Sequence, residues 1–302
     1  MKKKLVVVTG PTGSGKTALA IRIARQLGTE IVSADSRQVF REMRIGTAAP
    51  TPGELLEVRH HLVAHKSITE EYDAALYSKE ANTCIENLFT GAPYVVVCGG
   101  SGLYIRALLD GIDEIPDVPE EIRNQTQADY KEKGLEWLQS EADRIDPEWY
   151  ARADRQNHRR LLRCVEVFRS SGKKLSSFQT GKLPDHNWDV IKLATDLPVA
   201  LLYERINSRV DQMVADGLFE EAENLYNFRQ LRALKTVGYQ EIFSYMDGAY
   251  SREEAISLIK QHTRNYAKRQ LTWFRKEHDL NRLQNFDKED ELSEIMTLII
   301  QS

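Results

Sequence analysis

The stretch that decides the fold is GPTGSGKT at residues 10–17, which closely follows the apolar run Leu-Val-Val-Val at 5–8. It fits the pattern GxxxxGK[ST] in full, and residues 17–27 have the apolar spacing of an amphipathic helix. In this strand-loop-helix context, glycines let backbone N–H groups turn around an anion, and the start of the helix adds partial positive charge. The stretch therefore predicts a phosphate-binding loop (P-loop) for a di- or triphosphate. Its residues are Gly10, Pro11, Thr12, Gly13, Ser14, Gly15, Lys16 and Thr17.

The P-loop alone does not identify the phosphate compound. Lys16 is expected to neutralise the terminal phosphates, and the Thr17 hydroxyl is expected to help hold Mg²⁺. Many P-loop enzymes hydrolyse or transfer a γ-phosphoryl group and hold the metal with an acidic residue at the end of a later strand. Residues 95–101 here read Val-Val-Val-Cys-Gly-Gly-Ser, without a carboxylate. This counts against an ATP-hydrolysing motor and leaves a small-molecule kinase open.

Four short apolar runs predict buried strands, at residues 5–8, 30–34, 94–98 and 190–195. Continuous valine-rich runs favour a parallel sheet that is covered by helices on both faces. Helical patterns separate the first three runs, and an alternation of strand and helix is typical of an α/β fold.

The region at 116–189 differs from the rest, because it has helical periodicity and no convincing strand. Asp154 is expected to cap one of its helices. The sequence therefore predicts a P-loop NTPase-like parallel sheet core, formed by residues 1–115 and 190–302, with a mostly helical insertion domain at 116–189. The second part of the core is expected to be mostly helical, with a basic RNA-binding segment.

Composition limits the class of protein. Of the 302 residues, 41% are hydrophobic and 28% charged, as in an ordinary globular protein, and the net charge of −4 gives no overall attraction to nucleic acid. Three cysteines without CxxC spacing indicate free thiols in a reducing compartment. No apolar stretch has the length of a signal peptide core or a membrane span, so we expect a cytoplasmic protein without membrane contact.

Asp35 follows the second predicted strand, at the edge of an α/β sheet where ligands bind. In that position a carboxylate serves as a general base, as a metal contact or as a cap for the next helix, and the residue alone does not choose among these. Arg37 and Gln38 offer directed hydrogen bonds to a base edge or a phosphate. His60 and His61 are adjacent, so both rings cannot face one metal from one helix face, and a packing role is favoured over a zinc site.

Several blocks taken together resemble the tRNA dimethylallyltransferase (tRNA isopentenyltransferase) family. The blocks are GPTGSGKT (10–17), SADSRQVFREMRIGTAAP (33–50), HHLV (60–63), GGSGLY (99–104), DRQNHRRLLRCVEVFRSSGKKLS (154–176), KTVGYQE (235–241) and QHTRNYAKRQLTWFR (261–275). They span nearly the whole chain in the family's order and spacing. Ser101 stands where the family is expected to have threonine, and serine keeps the hydroxyl.

The resemblance implies a mechanism. The P-loop would hold the diphosphate of dimethylallyl diphosphate with Mg²⁺ as the cofactor, and Lys16 would stabilise the departing diphosphate. Asp35 would accept a proton from N6 of adenosine at tRNA position 37 as that nitrogen attacks the allylic carbon. Together, Thr17 and Ser101 would orient the acceptor nitrogen and the leaving oxygen. The implied catalytic residues are thus Asp35, Thr17, Lys16 and Ser101, with Thr17 as the metal contact.

The resemblance also implies contacts to the anticodon stem-loop of tRNA, whose target base must leave its stack. Residues 260–276 contain no acidic side chain, although the whole chain is acidic, which fits a local RNA-binding surface. The implied tRNA-binding residues are Asp35, Ser36, Arg37, Gln38, Ser101, Arg123, Gln156, Asn157, His158, Arg159, Arg160, Lys235, Thr236, Val237, Gly238, Tyr239, Gln240, Lys268, Arg269, Gln270, Leu271, Thr272, Trp273, Phe274 and Arg275.

Three other functions are compatible with the same motifs. An adenylate isopentenyltransferase would use the same loop and aspartate on free adenine nucleotides. A small-molecule kinase would use the insertion as a lid and would turn over ATP. A P-loop protein that binds nucleic acid without chemistry would not need Asp35. The basic C-terminal block and the arginine-rich insertion favour an RNA acceptor, and we expect the protein to act as a monomer.

Overall fold

A six-stranded parallel sheet forms the centre of the computed structural model, which describes residues 2–113, 115–179, 181, 184–277, 279–284, 286 and 289–301. The strand order is β3-β2-β4-β1-β5-β6, and every pairing is parallel. The strands are β1 (Lys4–Thr9), β2 (Ile31–Ser33), β3 (His60–His61), β4 (Tyr94–Gly99), β5 (Asp189–Thr195) and β6 (Asn281–Leu283). The predicted α/β fold with a parallel sheet is confirmed.

Both faces of the sheet are buried under helices. Along β1, Val6 and Val8 pack on one face with α1 (Lys16–Leu27) and α12 (Glu289–Gln301), whereas Leu5 and Val7 pack on the other. Because successive side chains of a strand point to opposite faces, an unbroken apolar run is what a doubly covered strand requires. The other face is covered by α3 (Ala74–Leu88) and α4 (Gly102–Asp110).

The remaining helices of the core extend it beyond the sheet. They are α2 (Pro52–Glu57), α8 (Val199–Ala215), α9 (Leu218–Leu225), α10 (Tyr239–Met246) and α11 (Arg252–Phe274). Val210, Leu218, Ile242 and Ile259 join four of these helices in a third apolar cluster. None of the helices in the described part of the chain is long and apolar enough to cross a membrane.

The chain divides into two compact units, Met1–Leu109 with Asp185–Ser302, and Asp110–Pro184. The second unit is helical, with α5 (Glu120–Ile145), α6 (Pro147–Arg152) and α7 (His158–Ser171). It ends at Pro184 and not at residue 189, because the segment before β5 packs on the core. There the Trp188 ring lies 5.5 Å from that of Phe89, and His186 contacts the Leu108 carbonyl at 3.1 Å.

In the helical unit, one predicted helix cap is wrong, and one buried carboxylate was not predicted. Asp154 does not cap α7: its Oδ1 accepts from the Gln156 amide in the preceding turn, and Asn157 is the N-cap. Asp146 is fully buried and accepts hydrogen bonds from the Trp149 amide and from Ser176. This carboxylate fixes the start of α6 to the short 3₁₀ turn at residues 175–178.

Candidate active site

The P-loop wraps around the start of α1 at the carboxyl edge of the sheet. Gly10, Gly13 and Gly15 have φ of 152°, 79° and 86°, conformations that other residues rarely adopt. A Cβ on Gly10 would lie only 2.0 Å from Oγ1 of Thr195, at the end of β5. The Thr195 hydroxyl pairs with Ser14 Oγ at 2.6 Å. The loop is therefore held tightly, and the first amides of α1, which have no partner within the helix, suit the binding of an anion.

A cavity of about 790 Å³ adjoins the P-loop and is lined by Lys16 and Thr17. Three arginines also line it, Arg44, Arg205 and Arg209. A concave site of this size with several cations suits a small anionic ligand with an apolar part. The predicted P-loop residues Lys16 and Thr17 thus lie beside a cavity that also has arginines the motif does not contain.

Arg209 is a functional candidate that the sequence reasoning missed. Its guanidinium donates to Thr12 Oγ1 at 3.3 Å and to the Ala48 carbonyl at 3.1 Å. Burial lowers the pKa of Arg209, and the charges of Asp35 and Glu54 oppose that effect. Arg205 and Arg209 are four residues apart in α8, so they lie on one face of the helix and both line the cavity. The buried Ile206 lies next to Arg205 in the sequence. Helical periodicity was therefore the sequence signal that could have identified the two arginines as a pair.

Lys16 lies inside the site. Burial lowers its pKa, whereas Cys98 and Asp35 raise it. Its Nζ donates to the Pro11 carbonyl at 3.4 Å, a weak contact that leaves the ammonium poorly compensated. A bound diphosphate would supply the missing negative charge, so the site is electrostatically prepared for a polyanion.

Asp35 lies beyond β2, two strands from the P-loop, since β4 separates β2 from β1. At the usual strand spacing this corresponds to roughly 10 Å. Its Oδ1 accepts from the amides of Arg37 (2.9 Å) and Gln38 (3.3 Å). Among the described residues, both hydrogen bonds to this carboxylate end on Oδ1, which leaves Oδ2 to a ligand. These bonds close a turn and do not cap a helix, since the next helix, α2, begins at Pro52.

Ser101 connects the end of β4 to the Asp35 segment. Its Oγ accepts from the Ser36 amide at 2.9 Å and donates to Ser36 Oγ at 3.1 Å. The approach of the two segments requires glycine at the end of β4, because a Cβ on Gly99 would lie 2.1 Å from the Ala34 carbonyl oxygen. Ser101 is nearly buried, so its hydroxyl orients the segment that carries Asp35.

The side chains of Arg37 and Gln38 have partners within the protein. Arg37 donates to the Ala233 carbonyl at 3.1 Å, and Gln38 donates to the Ala48 carbonyl at 2.9 Å. Burial lowers the pKa of Arg37, while Tyr266 and Asp35 raise it. These contacts tie the Asp35 segment to the loop at 44–50 and to the 3₁₀ helix Arg232–Leu234.

The segment at 235–240 is mixed in exposure. Lys235 and Gln240 are exposed, and Thr236 and Val237 are half-buried. Tyr239 is completely buried, and its hydroxyl donates to Glu221 at 2.6 Å. Tyr239, although in a block implied to bind tRNA, therefore offers no surface to a ligand in this structure. Gly238, the N-cap residue before α10, is likewise buried and has a φ of 98°.

The last turns of α11 have two distinct faces. The outer face exposes Lys268, Arg269, Thr272 and Arg275. The inner side chains Gln270 and Phe274 are buried, Leu271 packs beside Leu202, and Trp273 packs on Gly102. Upstream in α11, Lys260 pairs with Asp211 and Arg264 with Asn207, each at 2.6 Å. The exposed basic surface of α11 consequently contains fewer residues than the stretch 260–276 that the sequence suggested.

The helical unit carries the other basic group. Gln156, His158, Arg159 and Arg160 are exposed at the start of α7, and the half-buried Asn157 is its cap. The His158 ring stacks on Tyr130, with ring centres 5.6 Å apart. Arg123 is exposed on α5. An N-cap with adjacent arginines is a suitable place for phosphate groups.

Magnesium would receive few ligands from the protein. The described residues contain no cluster of three His, Cys, Asp or Glu side chains that could hold a metal. Thr17 lines the cavity, and its side chain also hydrogen-bonds Cys98. This fits Mg²⁺ in a phosphate site, where the metal takes most of its ligands from phosphate oxygens and water.

The His60–His61 pair forms edge strand β3, and the His61 ring contacts the Glu30 carboxylate at 2.5 Å. This contact agrees with the structural role that the sequence favours for the pair.

Comparison with known proteins identifies the family. Residues 38–277 match the model of the IPP transferase family. A tRNA dimethylallyltransferase of Christiangramia forsetii is 45% identical over 280 residues, 93% of this chain and 93% of that protein. One of Cytophaga hutchinsonii is 42% identical over 299 residues, 99% of this chain and 97% of that protein. The crystal structure of the full-length tRNA isopentenylpyrophosphate transferase from Bacillus halodurans is 32% identical, covers 100% of this chain and 96% of that one, and has a TM-score of 0.73. These relatives confirm the resemblance of the motifs, and the chain belongs to the IPP transferase family.

Proposed function

We propose that this chain transfers a dimethylallyl group from dimethylallyl diphosphate to N6 of the adenosine at tRNA position 37, 3′ to the anticodon. The observation that carries the proposal is the pairing of a cationic P-loop cavity with Asp35, at the same edge of the sheet and two strands apart. Family membership supports it, because two of the three relatives above are named tRNA dimethylallyltransferases.

The donor diphosphate would bind in the P-loop cavity. Amides at the start of α1, together with Lys16 and Arg209, would stabilise the negative charge that grows on the diphosphate as the allylic C–O bond breaks. Thr17 would hold Mg²⁺, which neutralises part of that charge when it is bound. The electron pair of the broken bond leaves with the diphosphate.

N6 of adenine is a weak nucleophile, because its lone pair is delocalised into the ring, so a base that accepts its proton promotes the attack. As the new C–N bond forms, N6 loses a proton, and Asp35 would accept it on Oδ2 while Oδ1 keeps its two backbone hydrogen bonds. Ser101 would keep the Asp35 segment in place through Ser36. The products are the N6-dimethylallyl base and diphosphate.

Each unit, taken by itself, carries exposed polar groups that would contact tRNA. Lys235, Lys268, Arg269 and Arg275 belong to the core, and Arg123 and residues 156–160 to the helical unit. The target base would flip out of its stack to reach Asp35. We further propose that a single cytoplasmic copy of the chain suffices, because the P-loop, Asp35 and the basic face of α11 belong to one unit.

The variant Asp35→Asn tests the proposal. Asparagine retains an oxygen for the Arg37 and Gln38 amides, so the turn should survive while the base is lost. We expect turnover to fall by about 10²–10⁴-fold with unchanged tRNA affinity. Asp73→Asn is the matched control, because Asp73 Oδ1 also accepts two successive amides, both at 2.9 Å. A rate close to that of the control would remove Asp35 as the base.

The acceptor is tested with labelled dimethylallyl diphosphate, Mg²⁺ and unmodified tRNA, with AMP and ADP in parallel. Label in tRNA that disappears when the adenosine 3′ to the anticodon is replaced supports the proposal. Label in free nucleotides instead would assign the chain to an adenylate isopentenyltransferase. Label in neither, with turnover of ATP, would assign it to a kinase.

A further inference from the structure

Gln270 links the helix that carries the basic residues to the P-loop. Its side chain is 8% exposed. Oε1 accepts from the Thr12 amide at 2.9 Å, and Nε2 donates to the Gly100 carbonyl at 2.8 Å. Because one partner is a backbone donor and the other a backbone acceptor, only one orientation of the amide satisfies both. Gln270 is therefore fixed, and it fixes two backbone segments at once.

The Thr12 peptide is held from three sides. Gln270 binds its amide, Arg209 binds its hydroxyl at 3.3 Å, and Ile206 packs on the next residue, Gly13, where a Cβ would come within 2.9 Å. An amide that donates to Gln270 does not turn toward a phosphate. Its direction instead sets the path of the following peptides, which enter the first turn of α1 with their N–H groups toward the ligand.

Gly100 has the matching constraint at the other end of the bridge. A Cβ at Gly100 would lie 2.6 Å from Nε2 of Gln270 and 3.1 Å from the Gly10 carbonyl oxygen. The end of β4 and the first residue of the P-loop are therefore in close contact, with the Gln270 amide between Gly100 and Thr12. A side chain at position 100 would displace the amide from its place.

We propose that Gln270 is a positioning residue of the donor site: it holds the P-loop in the conformation that binds a diphosphate, and it does not contact tRNA. The inference deepens the proposed function and rests on its assignment of the P-loop to the diphosphate. It also makes α11 the common support of both substrates, since Lys268 and Arg269 are exposed on the outer face of the same helical turn.

The test measures binding of inorganic diphosphate with Mg²⁺ by calorimetry, and tRNA binding separately, for Gln270→Met. Methionine keeps the volume and removes both hydrogen bonds. We expect the Kd for diphosphate to rise by about tenfold, the value for one lost hydrogen bond, with the Kd for tRNA unchanged. In turnover, KM for dimethylallyl diphosphate should rise while KM for tRNA stays constant. Gln261→Met, at an exposed position of α11, is the matched control and should change neither Kd.

Gly100→Ala perturbs the same bridge from its other end. Alone it should weaken diphosphate binding, and in the Gln270→Met background it should add much less, because the bridge is already broken. An unchanged Kd for diphosphate in folded Gln270→Met, or a loss confined to tRNA affinity, would overturn the inference. A folded wild-type protein that binds no diphosphate, in agreement with a Lys16→Ala variant, would overturn the proposed function with it.

Discussion

The variant Tyr239→Phe removes one hydroxyl and measures how much the hydrogen bond from Tyr239 to Glu221 stabilises one wall of the donor cavity. Glu221 accepts from Tyr239 (2.6 Å) and from the amides of Ile45 (2.8 Å) and Gly46 (2.9 Å). A hydrogen bond to a charged group contributes about 1.5–3 kcal/mol. Phenylalanine keeps the ring packed on Gly46, and Glu221 keeps two donors, so the carboxylate is not left unpaired. We therefore expect the lower end, a loss of about 1.5 kcal/mol in the free energy of unfolding.

The assay is urea unfolding followed by fluorescence of the four tryptophans. Tyr226→Phe is the control, because it removes a similar bond to a carboxylate, that of Asp247, at the surface. A surface change of this kind is expected to cost less than about 0.5 kcal/mol. Since Ile45 lines the cavity, Tyr239→Phe should also raise KM for the diphosphate substrate. Equal unfolding energies for the two variants would refute the reasoning that half-buried Glu221 organises this wall.

Three further predictions concern charge and burial. Burial raises the pKa of Glu166 in the folded protein, so the stability that its protonated carboxyl contributes is lost as pH rises from the unfolded pKa through the folded one. Glu166→Gln should therefore raise the melting temperature at pH 7 but not at pH 4. An equal gain at both pH values would contradict this expectation. Burial raises the pKa of both Cys84 and Cys98, that of Cys98 to about 11. Iodoacetamide at pH 8 should label half-exposed Cys84 first, as measured by peptide mass spectrometry. Earlier labelling of Cys98 would show that its thiol is not buried. Replacing Lys268 and Arg269 by Ala should reduce the slope of log K for tRNA against log salt by about 0.7 each, and an unchanged slope would mean that neither touches phosphate.

The centre of the fold was predictable because its information is local. Strands β1, β2, β4 and β5 are apolar runs with a helix or loop signal beside them, and all four predicted strands are present. The edge strands β3 and β6 were missed, since they have only two and three residues. Such short strands are defined by the hydrogen bonds of a neighbour, which a residue pattern does not contain.

The candidate site shows the same division. The P-loop and Asp35 follow from motifs and strand ends, whereas the bridge from Gln270 to Thr12 joins residues 258 positions apart. Helix packing creates that contact, and neither sequence segment shows it. Gln270 and Phe274 were grouped with the RNA-binding residues by their block, yet both are buried. Their spacing of four places them on one inner face of α11, so helical periodicity would have separated them from the exposed residues.

The packing of α12 on α1 has a consequence for the order in which the protein folds during its synthesis. Leu292, Ile295 and Ile299 complete the apolar layer over β1, and Lys4 in β1 donates to the Ile300 carbonyl at 2.8 Å. On this face α1 covers β1 from one side, but the apolar layer stays incomplete until residues 289–301 have been made. The apolar side chains that α12 covers therefore stay exposed while the residues between α1 and α12 are synthesised, and transiently exposed apolar surface of this kind is prone to aggregation.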